Sequence, residues 1–451
     1  MKTVDIVERI EGEAKLVCSW NEKKIDDVRI EFLNFRGFEY ILEGKPVLDA
    51  LIYTPRICGI CGQAHLKATV EALENIYENI GEKLEITNKA KILREVGLNI
   101  EIIDSHIKWF YMFIMPDVVK LSKKDFKEYQ PLIGQKWLRA SSVASETIKS
   151  LAIIGGQWPH SSYMIPGGVM SDPTLLDITT MQNYLDNAIE FFEKDFVGVD
   201  LEQYLSFSKV KELENINLDL KDFIDLSFEH NLEKEGKSHD RFITLGESSL
   251  FKCGKSSKRL IRKIDLERIS EDDNFTFNVD SKKETKDAYS WSKSVKYGDS
   301  FYETGPLARA IIQERAFLKD IHKEYKDSVL TRVLARMDEL AHLLFVTKEI
   351  IKDLDISEES FIKPKISLSN ISEGNGKSVV EASRGSLYHN LTVKNGKINS
   401  YDVITPTVWN LGPGDKENLS ITQKAIIGID SIEKAKIILR SFDVCSVCTT
   451  H

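Results

Sequence analysis

The chain has 451 residues, of which 42% are hydrophobic and 29% charged, and its formal net charge is -9. This composition is typical of a soluble globular protein, and the length allows one large body or several domains. The negative charge argues against nucleic acid as a partner, and no stretch is long and apolar enough to predict a transmembrane segment.

The N-terminal part of the chain, residues 1–50, predicts β structure. Residues 15–20 and 28–33 alternate between apolar and polar side chains, and the charged stretch 21–27 separates them, so we expect a hairpin. From residue 64 to about 115 the apolar side chains recur at helical spacing. Gly81 is expected to separate two long helices there.

The remainder predicts further helices between irregular segments. Residues 154–173 are rich in glycine and proline and predict a loop, while residues 205–290 are polar and predict a peripheral insertion with short strands. Helical spacing is found in residues 175–196, 305–354 and 431–441. We therefore predict a mainly α fold with small β elements, of the α+β class, around a central helical bundle.

Four of the six cysteines form two Cys-x-x-Cys pairs at opposite ends of the chain. Cys58 and Cys61 precede His65, and Cys445 and Cys448 precede His451. Two such turns can supply four thiolates to a soft or borderline metal such as zinc, iron or nickel. The pairs are much farther apart than the roughly 15 to 20 residues of a zinc ribbon, so the whole fold would have to assemble the site. A structural zinc site and separate redox dithiols remain open at this point.

The chain resembles the large, catalytic subunit of nickel-iron hydrogenases over essentially its whole length. Both ends carry the family pattern, Arg-x-Cys-Gly-x-Cys-x-x-x-His near the start and Asp-Pro-Cys-x-x-Cys-x-x-His at the end, with Val444 in place of the proline. Further family motifs follow in family order: Arg9-Ile-Glu-Gly12, Arg36-Gly-Phe-Glu39, Pro166-Gly-Gly-Val169, Glu303-Thr-Gly-Pro-Leu-Ala-Arg309, Glu381-Ala-Ser-Arg-Gly385 and Pro406-Thr-Val-Trp-Asn410.

The resemblance implies a metal centre that oxidises dihydrogen reversibly to protons and electrons. Nickel would be bound by all four cysteines, and an iron carrying carbon monoxide and cyanide would share Cys61 and Cys448, leaving Cys58 and Cys445 as terminal nickel ligands. Residues 380–451 would then be the C-terminal metal-binding part of one large-subunit body, residues 1–451.

Three residues are similar to the family's catalytic side chains besides Cys445. Glu11 corresponds to the carboxylate that exchanges a proton with a terminal thiolate, here Cys445. Arg384 corresponds to the arginine above the open metal position, and Asp443 to the carboxylate that orients it. Without the motifs, Glu11 would be read as a solvated surface group and Arg384 as half of a structural salt bridge.

Four further residues are implied to hold the cofactors. Thr407 corresponds to a hydroxyl donor to an iron-bound cyanide, and His65 to a donor to a bridging sulfur. Glu39 and His451 resemble the ligands of a magnesium or similar cation. The alternatives are a turn threonine, a core histidine and a surface glutamate.

Some positions depart from the family pattern without removing a cysteine. Glu13 stands where many members have histidine, Ser105 where many have aspartate, and Ser383 and Val444 where proline is common. Ser105 and the Trp158-Pro-His160 loop resemble the cytoplasmic uptake and hydrogen-sensing branch. Because we also see no export signal, we expect a cytoplasmic location.

The cysteine count predicts a partner. Only Cys18 and Cys253 remain outside the two pairs, and a typical iron-sulfur cluster needs four thiolates. Electrons would leave through a small subunit carrying such clusters, in a heterodimer or a multiple of it. The alternatives are a hydrogen-sensing subunit with the same site, a protein with a structural four-cysteine zinc site, and a related scaffold that has lost its metals.

Overall fold

The N-terminal strands form an antiparallel meander in the computed structural model, which describes residues 2–258, 260–279, 282–283 and 285–449. Strands β1 (Lys2–Ile6), β2 (Ala14–Asn21) and β3 (Lys24–Phe32) pair in the order β1-β2-β3. The predicted hairpin is present, but its turn is tighter than expected. Lys24 already pairs with Asn21, so most of the charged stretch belongs to β3.

Helices form most of the body and lie at many points of the chain. They are α1 (Phe38–Leu42), α2 (Ala50–Tyr53), α3 (Gly62–Asn79), α4 (Asn88–Lys108), α5 (Met115–Val118), α6 (Gln135–Thr147), α7 (Lys149–Gly155), α8 (Leu175–Phe191), α9 (Leu201–Leu205), α10 (Asp219–Glu229), α11 (Pro306–Ile312), α12 (Ala316–Tyr325), α13 (Val329–Lys352), α14 (Pro406–Leu411), α15 (Ile421–Ile426) and α16 (Ile432–Ser441).

The two long helices predicted between residues 64 and 115 are α3 and α4. Gly81 lies in their connection with a φ of 83°, a left-handed conformation that glycine adopts easily. The Thr87 hydroxyl accepts a hydrogen bond from the Ala90 N–H and begins α4. Helix α4 packs against α6 and α13, and α8 packs against α6 and α13, which gives the central bundle.

The remaining strands form small separate sheets. They are β4 (Met164–Ile165), β5 (Gly168–Val169), β6 (Arg241–Thr244), β7 (Gly254–Ser257), β8 (Leu260–Arg262), β9 (Ile269–Asp272), β10 (Ser294–Tyr297), β11 (Glu373–Ala382), β12 (Gly385–Lys394) and β13 (Lys397–Ile404). The predicted class, mainly helical with small β elements, is confirmed. Among the described residues, no helix is both long and apolar enough to cross a membrane.

Segment 205–290 contains both exposed and buried elements. Strand β8 is exposed, whereas Phe242 and Ile243 of β6 are buried, and the Ile243 N–H donates to the Glu303 carbonyl. The boundaries of an insertion there stay a prediction.

The sheet β11-β12-β13 positions the residues around the cysteines. It is an antiparallel meander packed on α3. Ala382 pairs with Gly385, so Ser383 and Arg384 form the tight turn between β11 and β12. Gly385 has a φ of 129°, and a Cβ there would lie 2.6 Å from Thr304 side-chain atoms. Only glycine fits this turn without displacing its neighbour.

Candidate metal centre

The four paired cysteines meet at one buried point. All four sulfur atoms lie within 4.8 Å of one another. The Sγ atoms of Cys58 and Cys445 are 3.6 Å apart, as are those of Cys61 and Cys448, and the Sγ atoms of Cys445 and Cys448 are 3.2 Å apart. No disulfide joins them. Residues from the two ends of the chain therefore form one four-sulfur cluster.

Local backbone structure brings each pair to this point. Cys58 follows a short turn of helix, Cys61 directly precedes α3, and Cys445 and Cys448 lie on either side of one tight turn. The backbone N–H groups of Gln63 and Ala64 donate to the buried Glu101 carboxylate at 2.8 and 3.1 Å. These bonds fix the first turn of α3 just after Cys61.

The N-terminal segment packs directly on the C-terminal turn. The Ser446 N–H donates to the Glu11 carbonyl at 2.8 Å, and the backbones of Glu11 and Cys445 form an isolated parallel β-bridge. Gly12 has a φ of 87°, and a Cβ there would lie 2.9 Å from the Val447 side chain. The close approach of the two segments therefore explains the glycine of the Arg-Ile-Glu-Gly motif.

The sulfurs cannot all ionise easily without a cation. Burial opposes ionisation of Cys445, but hydrogen bonds from the other three thiols and the charge of Arg384 put its pKa well below the ordinary value. The pKa values of Cys61 and Cys448 are raised, chiefly by their hydrogen bonds to Cys445. A metal cation between the four sulfurs would stabilise all of them as thiolates, so the donor set fits a soft or borderline metal.

Arg384 and Asp443 lie beside the cluster as a buried pair. The Arg384 Nη2 is 3.1 Å from Asp443 Oδ1, and Arg384 Nη1 donates to the Ser383 hydroxyl at 3.2 Å. Within the described part of the chain, Arg384 Nε has no hydrogen-bond partner. The guanidinium thus keeps a donor available next to the sulfurs.

A small cavity separates the sulfurs from the sheet and from α14. It is lined by residues of both chain ends, among them Cys61, Cys448, His65, Arg384 and Thr407. The Thr407 hydroxyl is buried and, among the described residues, has no hydrogen-bond partner. Two unsatisfied donors, Arg384 Nε and Thr407 Oγ1, on one cavity suit small ligands that accept hydrogen bonds.

His65 lies on the first turn of α3, close to one sulfur. Its Nε2 is 4.0 Å from Cys448 Sγ, and its Nδ1 is 3.1 Å from His389 Nε2. The His389 Nδ1 is in turn 2.8 Å from the Tyr401 hydroxyl. The ring of His65 is therefore held from the side opposite the sulfur, as a donor to that sulfur would require.

Glu11 and Glu39 differ in their surroundings. Glu11 is half-buried, and its pKa is raised by burial and by Cys445, while Arg384 and Arg36 act in the opposite direction. Glu39 accepts a hydrogen bond from the Val403 N–H at 2.9 Å.

Glu39 lies at a separate pocket from the sulfurs. Lys293 Nζ is 3.9 Å from its other carboxylate oxygen, and Thr449 lines the same pocket. His451, the other predicted cation ligand, lies outside the described residues.

A buried ionic cluster next to this site was not predicted. Arg309 binds both Glu339 and Glu381, Glu339 contacts His106, and His106 contacts Arg336. Charged side chains on the buried face of α13, at Arg332, Arg336 and Glu339, were the available signal. A helix face that combines charge with apolar neighbours predicts buried ion pairs.

Comparison with known proteins agrees with this geometry. A family model described as nickel-dependent hydrogenase matches residues 36–132 and 127–451. The periplasmic NiFeSe hydrogenase large subunit of Desulfomicrobium baculatum is 23% identical, covering 100% of this chain and 94% of the relative. The quinone-reactive Ni/Fe-hydrogenase large chain of Wolinella succinogenes is 24% identical, covering 99% of this chain and 95% of the relative.

The fold is also shared with solved structures. The Ni-Fe-Se hydrogenase from D. vulgaris Hildenborough, in the reduced state, superposes with a TM-score of 0.83 at 22% identity, and all of both chains is covered. At this identity the likeness concerns the fold. The family match spans nearly the whole sequence and includes all four clustered cysteines, and the chain therefore belongs to the nickel-dependent hydrogenase family.

Proposed function

We propose that this chain is the catalytic subunit of an enzyme that oxidises dihydrogen reversibly to two protons and two electrons. The observation that carries the proposal is the convergence of Cys58, Cys61, Cys445 and Cys448 within 4.8 Å in a nickel-dependent hydrogenase. Four buried thiolates suit nickel and iron and do not suit magnesium or calcium. When bound, the two metals supply soft, electron-rich acceptor sites at which dihydrogen is polarised and split heterolytically.

The cysteines would divide into two bridging and two terminal ligands. Cys61 and Cys448 would hold both metals, as the family resemblance implies, and these two line the cavity where small iron ligands would fit. Cys58 and Cys445 would bind nickel alone. The unsatisfied Thr407 hydroxyl and Arg384 Nε support carbon monoxide and cyanide on the iron, since cyanide nitrogen accepts hydrogen bonds.

Glu11 would carry the proton away from the centre. The Cys445 thiolate would take the proton from dihydrogen, because Cys445 is the cysteine whose backbone pairs with that of Glu11. Glu11 is next to it, and burial together with the Cys445 charge raises the pKa of the Glu11 carboxyl, which makes it a better proton acceptor than a solvated glutamate. Arg384, oriented by Asp443, would hold its positive charge above the reacting position.

A second cation is proposed at Glu39. Its carboxylate, with His451 as second ligand and water in the remaining positions, would bind magnesium or a similar cation. Support comes from Thr449, which lines the pocket of Glu39 and is two residues before His451 in the sequence. Lys293 competes for the same carboxylate, so this site is expected to bind its cation more weakly than the thiolates bind theirs.

The electrons require a partner. After the metal centre is formed, two cysteines remain, Cys18 buried and Cys253 half-buried, and these cannot hold a four-thiolate cluster. We propose a small subunit with iron-sulfur clusters, assembled with this chain as a heterodimer or a multiple of it, in the cytoplasm. Turnover measurements would separate an uptake enzyme from a slow hydrogen sensor.

Elemental analysis combined with infrared spectroscopy of the purified protein tests the proposed function. We expect nickel together with iron, the stretching bands of cyanide and carbon monoxide, and exchange of deuterium gas with water. Zinc alone, without these bands, would overturn the proposal and favour a structural four-cysteine site.

A further inference from the structure

Asp443 lies between two buried arginines and contacts each through a different oxygen. Its Oδ1 is 3.1 Å from Arg384 Nη2, and its Oδ2 is 3.0 Å from Arg336 Nη1. The three side chains are no more than 4% exposed. One carboxylate is therefore shared by two guanidinium groups, and Arg384 contacts only one of its two oxygens.

This arrangement differs from two other arginine pairs in the same core. Arg332 binds Glu303 through two parallel contacts of 2.8 Å each, and Arg309 binds Glu339 through contacts of 2.7 and 2.6 Å. A guanidinium and a carboxylate prefer this two-contact geometry because their donors and acceptors match. The contact between Arg384 and Asp443 is single instead, as is the contact between Arg309 and Glu381, where one group is also shared between partners. The cause of the single contact lies in the sharing of Asp443.

Arg336 supplies that cause. By binding Oδ2, it prevents Asp443 from turning both oxygens towards Arg384. The Arg384 guanidinium is left with its Nε unsatisfied, beside the cavity that Cys61 and Thr407 line. Full pairing with Asp443 would instead use two donors of Arg384 and draw its charge away from the cavity.

Arg336 is itself held firmly. Its guanidinium carbon lies 4.5 Å from the centre of the Trp109 ring, and its Nη1 is 3.1 Å from His106 Nδ1. Because arginine only donates, His106 Nδ1 must accept, which leaves the His106 proton on Nε2, 3.0 Å from Glu339. Burial lowers the pKa of His106 to about 4, so near pH 7 the ring is neutral and can accept a hydrogen bond at Nδ1 and donate one at Nε2.

We propose that Arg336 is a positioning residue for Arg384, which acts by occupying one oxygen of Asp443 and so keeps the Arg384 guanidinium directed at the metal site. The proposal rests on the proposed function, in which Arg384 stands above the reacting position. It adds His106 and Trp109 as the groups that fix Arg336.

The test compares Arg336→Met with Arg332→Met in the complete enzyme. Arg332 lies one turn earlier on the same buried face of α13 and also loses a buried ion pair, but its partner is Glu303. We expect both variants to contain nickel and iron. In Arg336→Met, deuterium exchange should fall about tenfold to a hundredfold, since a displacement of roughly 1 Å at an active site has such effects.

Two readouts separate positioning from a loss of stability. The cyanide bands should shift in Arg336→Met and stay at the parent positions in Arg332→Met. A crystal structure of Arg336→Met should show two contacts between Arg384 and Asp443 in place of one. Arg336→Lys, which keeps a charged donor for Oδ2, should restore the parent bands and most of the exchange rate.

The outcomes are decisive in either direction. Unchanged bands and a single Arg384–Asp443 contact in Arg336→Met would overturn the inference. If that variant fails to fold, Arg336→Gln is measured in its place, with smaller shifts in the same direction because a neutral amide holds Oδ2 less strongly than a guanidinium. A parent enzyme without cyanide bands or exchange would instead overturn the proposed function, so the two failures can be told apart.

Discussion

The metal centre and the ionic cluster beside it treat buried polar groups in opposite ways. Around Arg309, Glu339 and Glu381, each charge faces an opposite charge at hydrogen-bond distance. Around the four sulfurs, thiols compete for ionisation, and the donors Arg384 Nε and Thr407 Oγ1 have no partner among the described residues. The fold pairs the charges of the ionic cluster and leaves these two donors unpaired beside the four sulfurs, where a ligand that accepts hydrogen bonds would fit.

Replacing a cysteine of the cluster should have the largest effect on activity, because it removes a thiolate ligand of the metals. We expect Cys61→Ser to abolish nickel binding and deuterium exchange, since a serine hydroxyl stays protonated and cannot bridge soft metals. Metal analysis and gas exchange measure this. The matched control is Cys253→Ser, half-buried and outside the cluster; equal metal content in both variants would contradict the assignment.

Breaking the satisfied region should cost stability instead. Glu339→Gln removes one of the two buried anions of Arg309 and the anion that His106 contacts, and removing one partner of a buried pair costs about 3 to 5 kcal/mol. Chemical denaturation of the folded variant measures the loss. The control is Glu349→Gln, which removes the exposed ion pair with Lys352 on the same helix and should leave the denaturation midpoint unchanged. Similar losses of stability in the two variants would contradict the role given to the buried cluster.

Glu11→Gln should slow the reaction and leave the metals in place. The amide cannot accept a proton from Cys445, and loss of a general base lowers rates by about a hundredfold or more. Isotope exchange with infrared spectra of the same sample measures both effects. Glu13→Gln, an exposed carboxylate two residues away, is the control. Exchange at the parent rate in Glu11→Gln would exclude Glu11 from the proton path.

Asp104 is an intermediate case, a buried carboxylate whose lysine partner does not fully compensate its burial. Desolvation outweighs Lys108 and raises its pKa to about 6. A raised pKa means that the folded state holds the proton more tightly, so this contribution to stability is full below about pH 4 and is lost as pH rises through 6.

The matching variant is Asp104→Asn, which cannot titrate. Its unfolding free energy should gain about 2 to 3 kcal/mol relative to the parent protein between pH 4 and pH 6. Denaturation curves across this pH range measure the difference. A difference that does not change with pH would show that Asp104 does not titrate as stated.

The sequence was sufficient for features that depend on local pattern or on the family motifs. The break at Gly81, the closing helix α16 and the four cysteines were predicted because each is marked by nearby residues. The roles of Glu11, Thr407 and Arg384 come from the resemblance and stay predictions.

Features that depend on distant pairing were not predicted. The sequence predicts only small β elements, whereas β11, β12 and β13 form a regular meander with up to 10 residues per strand. Asp443 contacts both Arg336, which is 107 positions away in the sequence, and Arg384, which is nearer but still on a different element. No periodicity within one helix or strand carries information on such a contact.

The contact between Glu11 and the Cys445 turn has a consequence for biosynthesis. Chains are made from the N-terminus at roughly 5 to 20 residues per second, so Cys58 and Cys61 leave the ribosome roughly 20 to 80 s before the last two sulfurs exist. During that interval the nascent protein carries an open thiol pair with no counterpart. A cofactor held by all four sulfurs can therefore be completed only after Cys445 and Cys448 have been made.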